Sequence, residues 1–490
     1  MRIAVVFAIT LLLAGLASAQ SNPDARVSTP EEREGVSLTV YNQGIAIVRE
    51  VRPLTLARGT NLIRFEGVPA QIDATSLSIK SLTTPEGLVV REQNYQFGLI
   101  GTNTVLDAAV GQRIRITRPL ANGQFETLDG TLISQPAQGR IVRLDDGRIL
   151  VDPQGTIELA SLPPGLLSRP SLFWTLESTR AATHRTEVSY ITRGMGWSAD
   201  YVLVLQSNDR LLDLTGWVTL TNTSGATFTN ANLQLMAGDV RRIREVGDSV
   251  VMELQGRAVG APPAAPPFQQ EEFFEYHLYT LDGATTLADR ETKQMTLLSA
   301  TEVPARRRLY FDGSGFRYPV RARPGQGSQT RELGAAVVVH LTNTEANRLG
   351  MPMPAGRVRV YQADTRGALQ FVGEDRIGHT PRGEELRLYI GTAFDVVGTR
   401  TVVERRNSEE RISGERYSIA EEVIEVEIRN RKREAVEVAI IERAWGDWSL
   451  RDQSHPSTRL DAGTFEFALS MRPETTQTVR FTLRTQSRIR

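Results

Sequence analysis

An almost all-β protein is what this sequence predicts: antiparallel β-sandwich domains, a small β-barrel-like insert and very little helix. Three observations predict it. Apolar side chains alternate with charged ones along short runs, turn residues recur about every ten positions, and no stretch beyond residues 1–19 shows a convincing helical period. Antiparallel sheets with one buried and one solvated face produce this code.

The elements follow in chain order. Residues 1–19 have the form of a secretory signal: Arg2 supplies the charge, 3–16 the apolar stretch, and Ala17-Ser18-Ala19 the cleavage site. The apolar stretch is short for a bilayer span, and no later segment is long and apolar enough to cross a membrane as a helix. Residues 20–35, polar with two prolines, read as a flexible leader. Residues 36–100 read as an N-terminal β domain, with strands flanking the turn at Asn42-Gln43-Gly44 and another turn at Arg58-Gly59. Residues 101–160 read as a small β insert. Ile114 and Ile116 there alternate with Arg113 and Arg115, and "LDDGRILV" signals a hairpin. A connector at 161–170 leads into a long β-rich region over 170–490.

That region is interrupted at 246–275, where a Gly/Ala/Pro run meets an acidic, aromatic one; the prolines exclude a ladder and predict a disordered loop. The C-terminal part carries the clearest alternation. Ile424, Val426 and Ile428 are followed after "RNRKRE" by Val436, Val438 and Ile440. Phe465, Phe467 and Leu469 are followed after a turn by Val479, Phe481 and Leu483.

Charge and cysteine content exclude several classes. The 490 residues carry 57 basic and 57 acidic side chains, so a nucleic-acid partner, which needs a basic surface, is not expected. No cysteine is present. Disulfides, thiol nucleophiles, thiolate metal sites and a lipobox anchor are therefore excluded, and stability rests on the core.

Two blocks carry a family resemblance: "EVSYITRGMGWSADYVLVLQSNDRLLDLTGWVTLTNTSGATFTNANLQLMAGDV" (187–240) and "MPAGRVRVYQADTRGALQFVGEDRIGHTPRGEELRLYIGTAFDVVGTRT" (353–401). Together with "EYHLYTLDGATTLADRETKQMTLLSA" (275–300), they resemble the bacterial family of unknown function called DUF4139, over roughly residues 170–490. The resemblance implies an exported or envelope-associated β-rich protein with no established activity and no catalytic residues to transfer. It also suggests Trp197 and Tyr201 as core anchors. Longer relatives carry a helical coiled-coil arm before this region, where this chain has its β insert.

Candidate chemistry is sparse. "GEDRIGHTPRGEEL" (373–386) gathers Glu374, Asp375, His379, Glu384 and Glu385 between two strands, and its glycines and Pro381 read as a turn. The other histidines, His184, His277, His340 and His455, fall in no short motif. Ser198 in "RGMGWSADYV" is no nucleophile elbow, because Asp200 occupies the last glycine position. Arg241, Arg242 and Arg244, and Arg306, Arg307 and Arg308, read as solvated edges. No catalytic residue, metal ligand or cofactor is assigned. The expected function is a non-enzymatic exported cell-envelope module, periplasmic or extracellular and not a lipoprotein, with an envelope protein or glycan as partner. The alternative is an exported hydrolase or metalloprotein centred on His379 with Asp375, Glu384 or Asp395.

Overall fold

The computed structural model describes residues 25–489, apart from 97–100, 121–122, 135–138, 162, 164–165, 168, 207–208, 242–267 and 314–329. Among the described residues strands dominate and no barrel closes. The signal-like segment and most of the proline-rich loop lie outside the described residues. The described part of the leader, from residue 25, does not stay outside the fold: Arg26–Ser28 is a strand paired parallel to Ile63–Phe65. The acidic, aromatic end of the expected loop is likewise strand, Phe268–Phe273, in a hairpin with Tyr276–Leu287.

A four-stranded sheet places Ser171–Ser178 between Gly59–Glu66 and Leu88–Gln96. A seven-stranded sheet places Ala182–Arg193 between Ile45–Leu56 and Ile72–Ser81. In the same sheet Gly35–Tyr41 runs parallel to Phe228–Ala237. Residue 170 is therefore no boundary between folding units, because strands from both sides of it alternate within each sheet. At Gly194 the chain leaves the seven-stranded sheet and enters the largest one as Met195–Leu205. Gly194 has φ +77°, a conformation that favours glycine, and a Cβ there would come within 3.0 Å of the Thr223 backbone. Phe65 and Trp174, Leu38 and Val48, and Leu203 and Leu214, from the three sheets in turn, join in one core.

The five-stranded insert is an open antiparallel sheet, in the order Ile149–Val151, Ile141–Leu144, Phe125–Ser134, Arg113–Pro119, Thr156–Leu159. Ile114 and Ile116 are buried and Arg113 and Arg115 exposed, as the alternation predicts. A helix, Thr102–Ala108, closes one end through Leu106. At seven residues it is too short to display a period in sequence.

The largest sheet turns on one long strand, Glu291–Asp312. Its first half pairs with Leu211–Asn222 and contributes Leu297 and Val303 to the first core. Its second half pairs with Thr330–Thr342 on one side and, in parallel, with Val436–Arg443 on the other, and contributes Leu309 and Phe311 to a second core. The runs either side of "RNRKRE" are not a hairpin. Glu415–Asn430 pairs with Thr476–Arg488, while Val436–Arg443 pairs with Thr464–Met471. Both C-terminal turns are corners between facing layers, so all four alternating runs point into the second core.

One buried group gives the fold an acid sensitivity. His184 is fully buried, with Nδ1 3.0 Å from Ser81 Oγ and Nε2 3.1 Å from Ser178 Oγ. Burial, then Arg180, lowers its pKa from 6.5. With a lowered histidine pKa the folded state binds fewer protons than the unfolded one, so its contribution is complete above pH ~6.5 and fades as pH drops below that value. The thermal midpoint is therefore expected to drop between pH ~7.5 and ~5. The slope should flatten in His184→Gln, and an unchanged slope refutes the assignment.

Candidate functional site

The polar cleft lies on the face of the largest sheet opposite the second core. Strand parity builds it. In Glu291–Asp312, Leu309 and Phe311 face the core, so Arg306, Arg308 and Tyr310 point the other way. Register sets His340 opposite Arg306 on one neighbour and opposite Arg387 on the next, with Glu385 across from Thr342. The cleft holds about 410 Å³.

Glu385, His340 and Tyr310 form a hydrogen-bonded chain. His340 Nδ1 lies 2.9 Å from Glu385 Oε1, and His340 Nε2 lies 3.0 Å from Tyr310 Oη. The carboxylate selects the Nδ1–H tautomer, leaving Nε2 to accept the phenolic proton. Burial tends to raise the pKa of Glu385, but hydrogen bonds from His340 and Arg387 outweigh it and hold the carboxyl below its ordinary range. Arg387 Nε donates to Glu385 Oε2 at 2.7 Å. The Arg308 guanidinium sits 5.2 Å from the centre of the Tyr310 ring and pairs with Glu466. Tyr310 is 6% exposed, so the phenol end of the chain is covered, while Glu385 at the other end is exposed.

The residues first singled out fall elsewhere, with one exception. His379 is exposed, and its Nδ1 accepts the Ala355 amide at 3.2 Å. Asp375 accepts the amides of Arg376 and Tyr389 at 2.8 and 2.7 Å. Thr380 Oγ1 donates to Gly378 O, a turn role. Glu384 and Asp395 are exposed. Among the described residues no three His, Asp or Glu side chains are placed to hold a metal ion. The exception is Glu385, whose imidazole partner is His340. Accordingly, His379→Ala is expected to change stability by less than about 0.5 kcal/mol in denaturant titration; a loss above about 1 kcal/mol contradicts the connecting role.

The arginine run lies within a strand that has partners on both sides, with Arg306–Arg308 laddered to Val338–His340 and the parallel partner joining at Leu309, and its charges are met: Arg306, Arg307 and Arg308 pair with Glu437, with Asp209 and Glu434, and with Glu466. Of the other run, Arg241 is exposed, and Arg242 and Arg244 lie outside the described residues. Ser198 is an exposed residue within a strand. His277 meets Gln270 and His455 meets Ser454. Sequence reasoning missed Tyr310, His340 and Glu466. The parity of "RRRLY" was readable, but the partners come from other strands.

Trp197 and Tyr201 are anchors whose polar tips are satisfied. Trp197 Nε1 donates to Met236 O at 3.2 Å, and Tyr201 Oη to Pro354 O at 2.8 Å. Tyr279 Oη donates to Pro352 O at 2.8 Å, so two phenols hold the 352–354 segment against the core.

Fold and site together define a multi-sheet β-sandwich protein with a polar, charge-paired cleft. Residues 186–486 match the family model described as Domain of unknown function (DUF4139), and the chain belongs to that family. No curated protein matches the chain. Among the described residues no helix is long and apolar enough to cross a membrane.

Proposed function

We propose that this chain is an exported, non-enzymatic binding module of the cell envelope. The signal-like residues 1–19 support export to the periplasm or beyond. The cleft carries the binding half of the reading. Its wall charges neutralise one another in pairs, and its phenol is covered, an arrangement suited to holding a ligand rather than transforming it. Cell fractionation with crosslinked capture from the envelope tests it. The expected result is a chain outside the cytoplasm, shortened at its N-terminus, that retains a defined envelope component. A cytoplasmic chain of full length refutes export, and failure to retain any component refutes the binding role.

One observation favours a second reading. The Glu385–His340–Tyr310 chain has the order of an oriented base and a hydroxyl, so an exported hydrolase would be centred on His340 and not on His379. Ester hydrolysis by the purified chain that is abolished in His340→Gln selects it.

A further inference from the structure

We propose that the cleft at Arg308, His340 and Glu385 takes an uncharged, polyhydroxylated ligand, a segment of neutral glycan chain. The inference rests on the binding reading above. Charge pairing is the first argument. Arg306 pairs with Glu437 at 2.5 Å, Arg308 with Glu466, and Arg387 with Glu385 at 2.7 Å. An anion brought to Arg308 places a second negative charge beside the Glu466 carboxylate, and a cation brought to Glu466 places a second positive charge beside the Arg308 guanidinium. Either meets like-charge repulsion at a partly buried pair, where screening is weak. Glu466 and Arg308 have side chains only 12% and 22% exposed, so that repulsion applies to them in particular.

A hydroxyl avoids the conflict, because it donates and accepts at once. A guanidinium carries five N–H donors and a carboxylate about four lone-pair sites, more than the Arg308–Glu466 contact uses. Successive hydroxyls can therefore bond to both members of the pair while the pair stays intact. Pro304 and Leu460 add the apolar rim that the C–H face of a sugar ring needs. Volume is the second argument: about 410 Å³ lies within the range of clefts that take a small ligand or a short segment of one chain. Rigidity is the third. His340 is fixed on both ring nitrogens by Glu385 and Tyr310, so the wall is organised before the ligand arrives.

Titration calorimetry on the full chain decides it. The neutral probes are hexamers of β-1,4-linked glucose, α-1,4-linked glucose and β-1,4-linked N-acetylglucosamine; the anionic ones are hexagalacturonate and inorganic phosphate. At least one neutral hexamer is expected to bind, with affinity changing less than about twofold between about 50 and 500 mM salt. Glu466→Gln and Arg308→Lys should each weaken it by roughly tenfold or more. If either fails to fold, Leu460→Asp on the exposed rim replaces it and should weaken binding likewise.

Binding only of the anionic probes, with steep salt dependence, overturns the proposal, as does no binding of any neutral hexamer. An envelope component captured equally by wild type and Glu466→Gln leaves the binding module standing and removes the cleft from it. A cytoplasmic chain that binds a neutral hexamer does the reverse.

Discussion

Glu50→Ala is expected to destabilise the N-terminal sandwich by about 3–5 kcal/mol, the cost of removing one partner from a buried ion pair. Glu50 and Arg52 are both fully buried between sheets. Glu50 Oε2 accepts from Arg33 Nε at 2.6 Å and Arg52 Nη2 at 2.8 Å, while Oε1 accepts the Tyr190 hydroxyl at 3.0 Å. Arg52 also donates to Ser28 O and Glu66 O, and its guanidinium lies 3.6 Å from the centre of the Phe65 ring. Without the carboxylate two guanidinium groups face each other with no counter-charge. Trp174, 5.2 Å from Phe65, reports the transition by fluorescence in a urea titration. The double variant Glu50→Met, Arg52→Met is expected to recover part of the loss, since it removes one of the two stranded charges and fills the space. Equal loss in the single and double variants shifts the cause from charge to packing and refutes this account.

Phe481→Ala is expected to cost about 3–5 kcal/mol in the C-terminal sandwich, through lost burial and the cavity left behind. Phe481 is fully buried, and its ring centre lies 5.1 Å from that of Phe467 and 5.7 Å from that of Phe465. Its strand pairs it with Ile424, so the hole opens between both layers of the second core. Phe481→Leu should cost less, because the smaller change in volume lets neighbours close in. A loss under about 1 kcal/mol for the alanine variant is incompatible with the layered packing described. Separate transitions reported by Trp174 and Trp448 would assign each loss to its own core, because Trp448 stacks 5.1 Å from Phe465.

Much of the fold was legible because alternation assigns faces. Ile114, Ile424 and Phe481 are buried where the pattern puts them, and the Asp146-Gly147 turn closes its hairpin with Gly147 at φ +88°. The leader was misread because polar residues can still serve an outer strand through backbone hydrogen bonds, as Arg26–Ser28 does. Similarly, "RNRKRE" looks like a hairpin turn locally, yet it is a corner, since a polar bend says nothing about which strand lies beside the next. The candidate site was legible only in fragments. "RRRLY" declared its parity and "GEEL" contained Glu385, but His340 had no neighbour in sequence to mark it.

By itself, then, the sequence determined the β class, the interior side chains, the absence of thiol chemistry and the family blocks, because each is written in local period or composition. Only the tertiary structure decided which strands adjoin. Strands Glu291–Asp312, Thr330–Thr342 and Glu385–Ile412 lie side by side, and that adjacency brings Tyr310, His340 and Glu385 together. The physical reason is that a two-residue period fixes the direction of a side chain but not its neighbour across the ladder. Long-range register chooses that neighbour, and it is settled by how whole layers bury their apolar faces.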